Sequence, residues 1–399
     1  MEPLTGVTVV DFTQYLAGPY ATMLLGDWGA DVIKVEPPGH GDASRGMAPF
    51  VNGESYPFLM PNRNKRSIAL DLKDARGADI AARLIARADV VVESFRPGVT
   101  ARLGIDFESA VETNPDVVYC SISGFGATGP HSARPGFDII AQGMAGFLTM
   151  TGHPGGEPTR VGIAVNDLAA GMTAANAILA GYISRLRSGG GQYVDVSLLE
   201  SGLALTVWEA GVYFGSGEVA GPTGTRHRLL APYQAFRTAD GGVTVGANNQ
   251  RLWQRFCRDV LHRPDLERDP RYRDPAARAA HADTLEAEVQ AVLATDVTAR
   301  WVEAMDAAGV PGGPVLTYDQ ALAQDQVVAR DSVVELEHPV MGTVRQLAPA
   351  ARMSRTPPRA RVAAPLLGQH SREVLAWLGW AEPDIRALEE DGVIETRQP

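Results

Sequence analysis

The chemistry legible in this chain centres on a carboxylate at the start of a helical pattern. In Val161-Gly-Ile-Ala-Val-Asn-Asp167 a short β-like run meets two Asx residues. Apolar side chains then recur every three or four positions, at Leu168, Met172, Ala175, Ile178, Tyr182 and Leu186, until Ser188-Gly-Gly-Gly191 stops the pattern. The spacing predicts a strand that hands over to a long helix at Asp167. One account makes Asp167 or Asn166 an N-cap, its oxygen accepting a hydrogen bond from a free amide of the first turn. A second account is chemical: the positive helix end keeps the carboxylate ionised and aims it into the crevice that strand ends form in an open α/β sheet. The two are compatible. Cations also stand at informative places. Arg96 and Arg102 follow a strand pattern at 89–93, and Asn62-Arg-Asn-Lys-Arg66 sets three cations within four residues, a solvated turn or an anion site.

The elements that must position these groups alternate. A buried strand at 7–11, a helix at 17–27 with a proline in its first turn, and a strand at 32–36 make a β-α-β unit. Strands at 67–72, 89–93 and 117–122, with helices near 78–87 and 107–112, continue a doubly wound α/β sheet. The turn at 13–19 lacks the three-glycine dinucleotide fingerprint, and 124–130 lacks the ending of a phosphate-binding P-loop. An apolar helix at 139–150 and a strand at 192–197 follow. The expected organisation is a large Rossmann-like domain begun by residues 1–214, a linker at 215–228, a small α+β domain at 229–325, and a return through 326–399 that completes the large domain. The small domain opens with a hairpin at 233–245 and runs helical at 250–261, 285–293 and 297–308.

Composition narrows the partners. A formal charge of −11 over 399 residues disfavours nucleic acid and anionic membranes, which require a basic surface. The two cysteines, Cys120 and Cys257, are far apart and carry no metal-ligand spacing, so they read as core residues and no metal site is expected. With no signal-like leader and no apolar run long enough to span a bilayer, a cytoplasmic location is expected.

Taken in order, Leu16-Ala-Gly-Pro19, Asn62-Arg-Asn-Lys-Arg66, Glu93-Ser-Phe-Arg-Pro-Gly98, Arg134-Pro-Gly-Phe-Asp138 and Asn166-Asp167 resemble the family III CoA-transferases. The resemblance implies an interlocked homodimer and no tightly bound cofactor, with an acyl-CoA and a carboxylic acid as substrates. It also implies that Asp167 is the nucleophile that carries CoA as an aspartyl thioester. For CoA it points to Leu16, Leu70, Leu72, Lys73, Ser94, Phe95, Arg96, Arg102 and Arg134, with Arg102 and Arg134 favoured for the phosphates. Asp138, Gly246 and Ala247 are implied near the acyl group. Formyl-CoA members carry Gln, Arg and Asn where Leu16, Pro37 and Ser94 stand, and a glycine run where Gly246-Ala-Asn-Asn249 stands. Those departures point away from oxalate and formate and toward succinyl-CoA-dependent dicarboxylate transferases.

Two other readings share the fold. A 2-methylacyl-CoA racemase needs a histidine and an aspartate flanking the α-carbon, and the histidine position falls on Phe137, which carries no proton. A CoA-binding accessory subunit without catalysis is the other, and the presence of Asp167 argues against it. Arg226, His227 and Arg228 offer a site for a second carboxylate, although a solvated basic turn is the simpler reading.

Overall fold

In the computed structural model, which describes residues 2–397, the β-branched runs of the first two hundred residues become a sheet and the amphipathic segments between them cover its faces. In chain order the elements are β1 (Thr8–Phe12), α1 (Ala17–Asp27), β2 (Asp31–Glu36), β3 (Lys65–Leu70), α2 (Ala75–Arg87), β4 (Val90–Glu93), α3 (Val99–Leu103), α4 (Phe107–Thr113), β5 (Val118–Ser123), α5 (Asp138–Met144), α6 (Val165–Ser188) and β6 (Gln192–Ser197). The sheet runs from the strand Ile394–Glu395 through β3, β2, β1, β4, β5 and β6. All neighbours are parallel except the first pair, where Ile394 lies antiparallel to Leu70. The chain leaves β1 toward β3, then crosses back to β4. The strand order therefore reverses between β1 and β4, where open α/β sheets form their ligand crevice. The expected doubly wound fold is present.

One face of the sheet buries Ile80 and Leu84 of α2 with Val374, Leu378 and Ile385 of the helices Ser371–Leu378 and Glu382–Glu390. The other buries Leu25 of α1 with Ala170, Ala174 and Ile178 of α6. The face that α6 turns inward differs from the predicted stripe: Met172 and Leu186 are exposed, while Ala170, Gly171, Ala174, Ile178 and Gly181 are buried. Close approach is the reason. A Cβ at Gly171 would lie 2.7 Å from the Ala17 carbonyl oxygen of α1, so small residues set the contact.

Other expectations are corrected. Residues 161–164 form no strand; α6 starts at Val165, its N-cap is Ala164, and Asp167 lies inside the first turn rather than at the cap. The segment at 139–150 is two helices, α5 and Phe147–Met150, interrupted at Gly146, whose φ of 84° suits glycine. β3 begins and ends two residues earlier than predicted. The cations at 63–66 are neither a solvated turn nor an anion site. Arg63 forms a two-pronged pair with buried Asp27 at 2.8 and 2.6 Å, Lys65 meets Asp11 at 2.9 Å, and Arg66 meets Asp31.

The chain divides into two compact units: one takes the residues up to Gly146, Val161–Gly217 and the chain from Asp325 onward, the other Phe147–Arg160 and Glu218–Gln324. The second has its own antiparallel sheet, ordered Gly312–Pro314, Gly242–Gly246, Tyr233–Arg237, and a core that includes Trp253, Phe256, Tyr272 and Trp301. In it Arg226 pairs with Asp283 and Glu286 at 2.7 and 3.2 Å, and Arg228 lies 3.8 Å from Glu218. Both cysteines are buried. No helix among the described residues is long and apolar enough to cross a membrane.

Candidate active site

The turn after β1 is built on a charged core. Asp11, fully buried, accepts hydrogen bonds from the Thr13 amide and hydroxyl, the Thr22 hydroxyl and the Lys65 ammonium. Lys34 donates to the Thr13 carbonyl at 2.8 Å and pairs with Asp42 at 2.9 Å. Asp42 accepts the Tyr15 amide at 3.1 Å, which holds Tyr15 at a φ of 67°, a conformation rare for an aromatic residue. Burial alone would raise the Asp11 carboxyl, but the Lys65 and Lys34 ammoniums hold it below the usual carboxylate range. Burial pushes Lys65 down to about 8, although Asp11 opposes the shift. These pairs fix the path of residues 13–19 along the crevice. Gln14 completes the link across the reversal point by donating its amide to Ser94 Oγ at 3.1 Å.

Two cavities open at the carboxyl ends of the strands, and Phe12, Gln14 and Phe95 line both. One, of about 680 Å³, is bordered by Pro37 after β2, by Leu70, Leu72 and Lys73 after β3, and by Arg102 on α3. The other, of about 300 Å³, is bordered by Leu16, Ser94, Arg96, Arg134, Phe137 and Asp167. Thus Leu70, Leu72, Lys73 and Arg102 come together in the first, Leu16, Ser94, Arg96 and Arg134 join Asp167 in the second, and Phe95 stands between. Lys73, Arg96, Arg102 and Arg134 are exposed and have no carboxylate within 4.0 Å among the described residues, whereas Arg45, Arg63, Arg66 and Arg76 of the same unit are paired.

Asp167 owes its place to a residue of α5. The first turn of α6 lacks a side-chain cap from its own N-cap residue. Instead Asp138 Oδ1 accepts the Asn166 amide at 2.9 Å and the Asp167 amide at 3.4 Å. Its other oxygen accepts from Gln142, whose own carbonyl accepts the Val161 amide at 2.9 Å. The buried Asn166 side chain donates to the Leu198 carbonyl at 3.1 Å. With its amide served by Asp138, the Asp167 carboxylate is left to face the cavity. Burial, and then the nearby Asp138 charge, push its carboxyl up to about 7.

Asp138 therefore acts on the first turn of α6, and Gly246 and Ala247 belong to the second unit, where Gly246 ends a strand and Ala247 is buried. Sequence reasoning missed Gln14 and Tyr15. The edge-to-face contact of Tyr15 with Phe137, ring centres 6.0 Å apart, was also missed. An aromatic residue directly before the Leu16 motif was the available signal. Gly124 and Gly136 meet backbone to backbone, so that a Cβ on Gly124 would lie 2.7 Å from the Gly136 Cα; they close the neck of the loop that carries Arg134.

The chain has relatives that match it over nearly its whole length. A sequence model of CoA-transferase family III matches residues 4–371. A succinyl-CoA:glutarate CoA-transferase of Mus musculus is 41% identical over 400 residues, covering 100% of this chain and 92% of that protein. A succinate–glutarate CoA-transferase of Agrobacterium fabrum is 38% identical, covering 94% of this chain and 96% of its own length. A crystal structure of a CAIB/BAIF family protein from Brucella suis superposes with a TM-score of 0.84 at 33% identity, covering 94% of this chain and 99% of that one. The family model and these relatives together span nearly the whole chain, and this protein is a member of CoA-transferase family III.

Proposed function

We propose that the protein moves CoA from succinyl-CoA or a similar acyl-CoA to a carboxylic acid, with Asp167 as the covalent carrier. The observation that carries this reading is the position of Asp167: among the described residues it is the sole carboxylate bordering the smaller cavity at the reversal point of the sheet. The names of the mouse and Agrobacterium relatives support the choice of donor.

The steps balance without any further reactant. An Asp167 oxygen attacks the thioester carbonyl carbon, the carbon–sulfur bond breaks, and CoA thiolate leaves a mixed anhydride on the side chain. The thiolate attacks the aspartyl carbonyl and expels the donor acid, giving aspartyl-CoA. The acceptor carboxylate then attacks that thioester, and the returning thiolate takes the acyl group and frees Asp167. Covalent capture divides the exchange into steps between groups of similar activation. Only the ionised carboxylate attacks, so activity should rise as pH increases through about 7. Leu70, Leu72, Lys73 and Arg102 are proposed to hold the nucleotide end of CoA, and Leu16, Ser94, Phe95 and Arg96 to guide its arm toward Asp167.

We also infer a homodimer. Val207, Trp208 and Phe214 of the helix Val207–Ser216 are 68%, 65% and 83% exposed, an apolar surface unusual for a lone chain; sedimentation should give twice the chain mass. The function is tested by intact mass after incubation with succinyl-CoA and hydroxylamine or borohydride. A modification on Asp167, missing in Asp167→Ala together with at least about 10³-fold of the activity, is expected. A wild-type protein that binds CoA yet stays unmodified with succinyl-, acetyl- and butyryl-CoA would favour a non-catalytic CoA-binding role.

A further inference from the structure

Arg134 borders the cavity of Asp167, apart from the two cations of the larger cavity, and its position suggests a different anion from a CoA phosphate. The larger cavity already holds two unpaired cations, Lys73 and Arg102, and Arg96 stands on the turn directly after Phe95, which lines both cavities. Lys73 and Arg102 are the cations proposed above for the nucleotide end of CoA, and Arg96 the one beside its arm. Arg134 lies on the smaller cavity, on the chain segment that reaches Asp138 four residues later, and Asp138 holds the Asp167 amide. Its guanidinium carbon sits 5.5 Å from the centre of the Phe125 ring, and Nη1 is 3.5 Å from His131 Nδ1. Neither neighbour is an anion, so the guanidinium keeps its charge and its forked donors for a ligand.

A monothioester of a dicarboxylic acid brings one charge into this space: its far carboxylate, because the thioester end is neutral. Asp167 repels that charge in a cavity of about 300 Å³, and a second anion there needs a cation of its own. A guanidinium meets a carboxylate through two parallel hydrogen bonds. Resting on the transferase reading above, we propose that Arg134 binds the distal carboxylate of a dicarboxylic acyl group and of the acceptor acid, rather than a CoA phosphate, and so selects dicarboxylates over monocarboxylates. The guanidinium charge offsets that of the incoming carboxylate, and the acyl chain is held by its far end while Asp167 works on the near end.

The test compares wild type, Arg134→Gln and Arg134→Lys in two exchanges: succinyl-CoA with labelled succinate, and butyryl-CoA with labelled butyrate, whose acyl group has the same carbon count without the second carboxylate. Affinity for free CoA is measured in parallel. In Arg134→Gln the ratio of kcat/KM for the succinyl exchange to that for the butyryl exchange should fall by roughly 10- to 100-fold. Arg134→Lys should recover part of the ratio, and the dissociation constant for CoA should stay within about twofold. Equal loss in both exchanges, or weakening of CoA itself by the same factor, would make Arg134 a phosphate ligand and overturn the proposal while leaving the transferase reading intact. A wild-type enzyme silent in both exchanges and unmodified on Asp167 would remove the transferase reading, and this one with it.

Discussion

Replacing the proposed nucleophile by its neutral isostere, Asp167→Asn, should make the protein more stable, and increasingly so as pH rises. The Asp167 carboxyl is pushed from its ordinary 3.8 up to about 7 by burial and by the Asp138 charge. Between those values the folded chain binds a proton that the unfolded chain has released. Stability therefore falls as pH rises from about 4 to about 7, and the loss is complete above that. The full gap corresponds to roughly 4 kcal/mol, at about 1.4 kcal/mol per tenfold change in proton affinity. Because the side chain is only partly buried, solvent screening reduces this to about 2 kcal/mol. Asparagine has no charge to desolvate and escapes the cost. At pH 5.5 part of the cost is already present, so moving to pH 8 should widen the gap between variant and wild type by about 1 kcal/mol, or about 1–3 °C in Tm. Calorimetric scans of both proteins at the two pH values measure it. A gap that does not change with pH would refute the raised proton affinity, and a variant less stable at pH 8 would mean that the ionised carboxylate is well satisfied in the fold.

Asp138→Asn keeps an oxygen for the Asn166 and Asp167 amides but removes the charge, so the acid limb of the kcat/KM profile should move to lower pH; an unmoved limb would show that Asp138 does not act on Asp167 electrostatically. Asp138→Ala should shift the limb likewise and also lower stability by about 1 kcal/mol through loss of the cap, which denaturant titration would register. Lys65→Met leaves Asp11 buried without its main counter-charge and should destabilise by about 3–5 kcal/mol; a variant as stable as wild type would mean that Lys34 alone suffices. Lys73→Gln and Arg102→Gln should each weaken CoA about tenfold and reduce the salt dependence of its binding, measured by titration at two ionic strengths, without altering the preference between acyl groups.

What was legible depended on how local its cause is. The helix α1 and the strand β6 match their sequence patterns at both ends, because a proline opens the one and a glycine run precedes the other. Asp167 was found by its place at the head of a helix. Its cap was not, because the capping carboxylate comes from Asp138, 28 residues earlier than Asn166, and no periodicity links them. Arg63 and Lys65 read as part of a solvated turn or an anion site because nothing local announces that Asp27 and Asp11 will be buried opposite them. The expected seam of α6 named its larger side chains, yet packing against α1 chose the alanines and glycines, since helix separation rather than residue size decided which face turned inward. Arg134 was grouped with the phosphate ligands on resemblance, and only the course of the loop after β5 places it on the cavity that Asp167 borders.

The antiparallel pairing of Ile394 with Leu70 carries a meaning for the order of events at the ribosome. β3 emerges early, but its outer edge is closed only from the far end of the chain: the Asp71 amide donates to the Val393 carbonyl at 2.8 Å, the Ala69 amide to Ser371 Oγ at 3.1 Å, and the His370 amide to the Ser67 carbonyl at 2.9 Å. A nascent chain therefore presents an unpaired strand, rich in apolar residues and open to other edges, throughout the synthesis of everything between. That same strand delivers Leu70 to the larger cavity. The edge of β3 is thus completed only when Ile394–Glu395 docks, and a chain cut before the helix Glu382–Glu390 would leave that edge open.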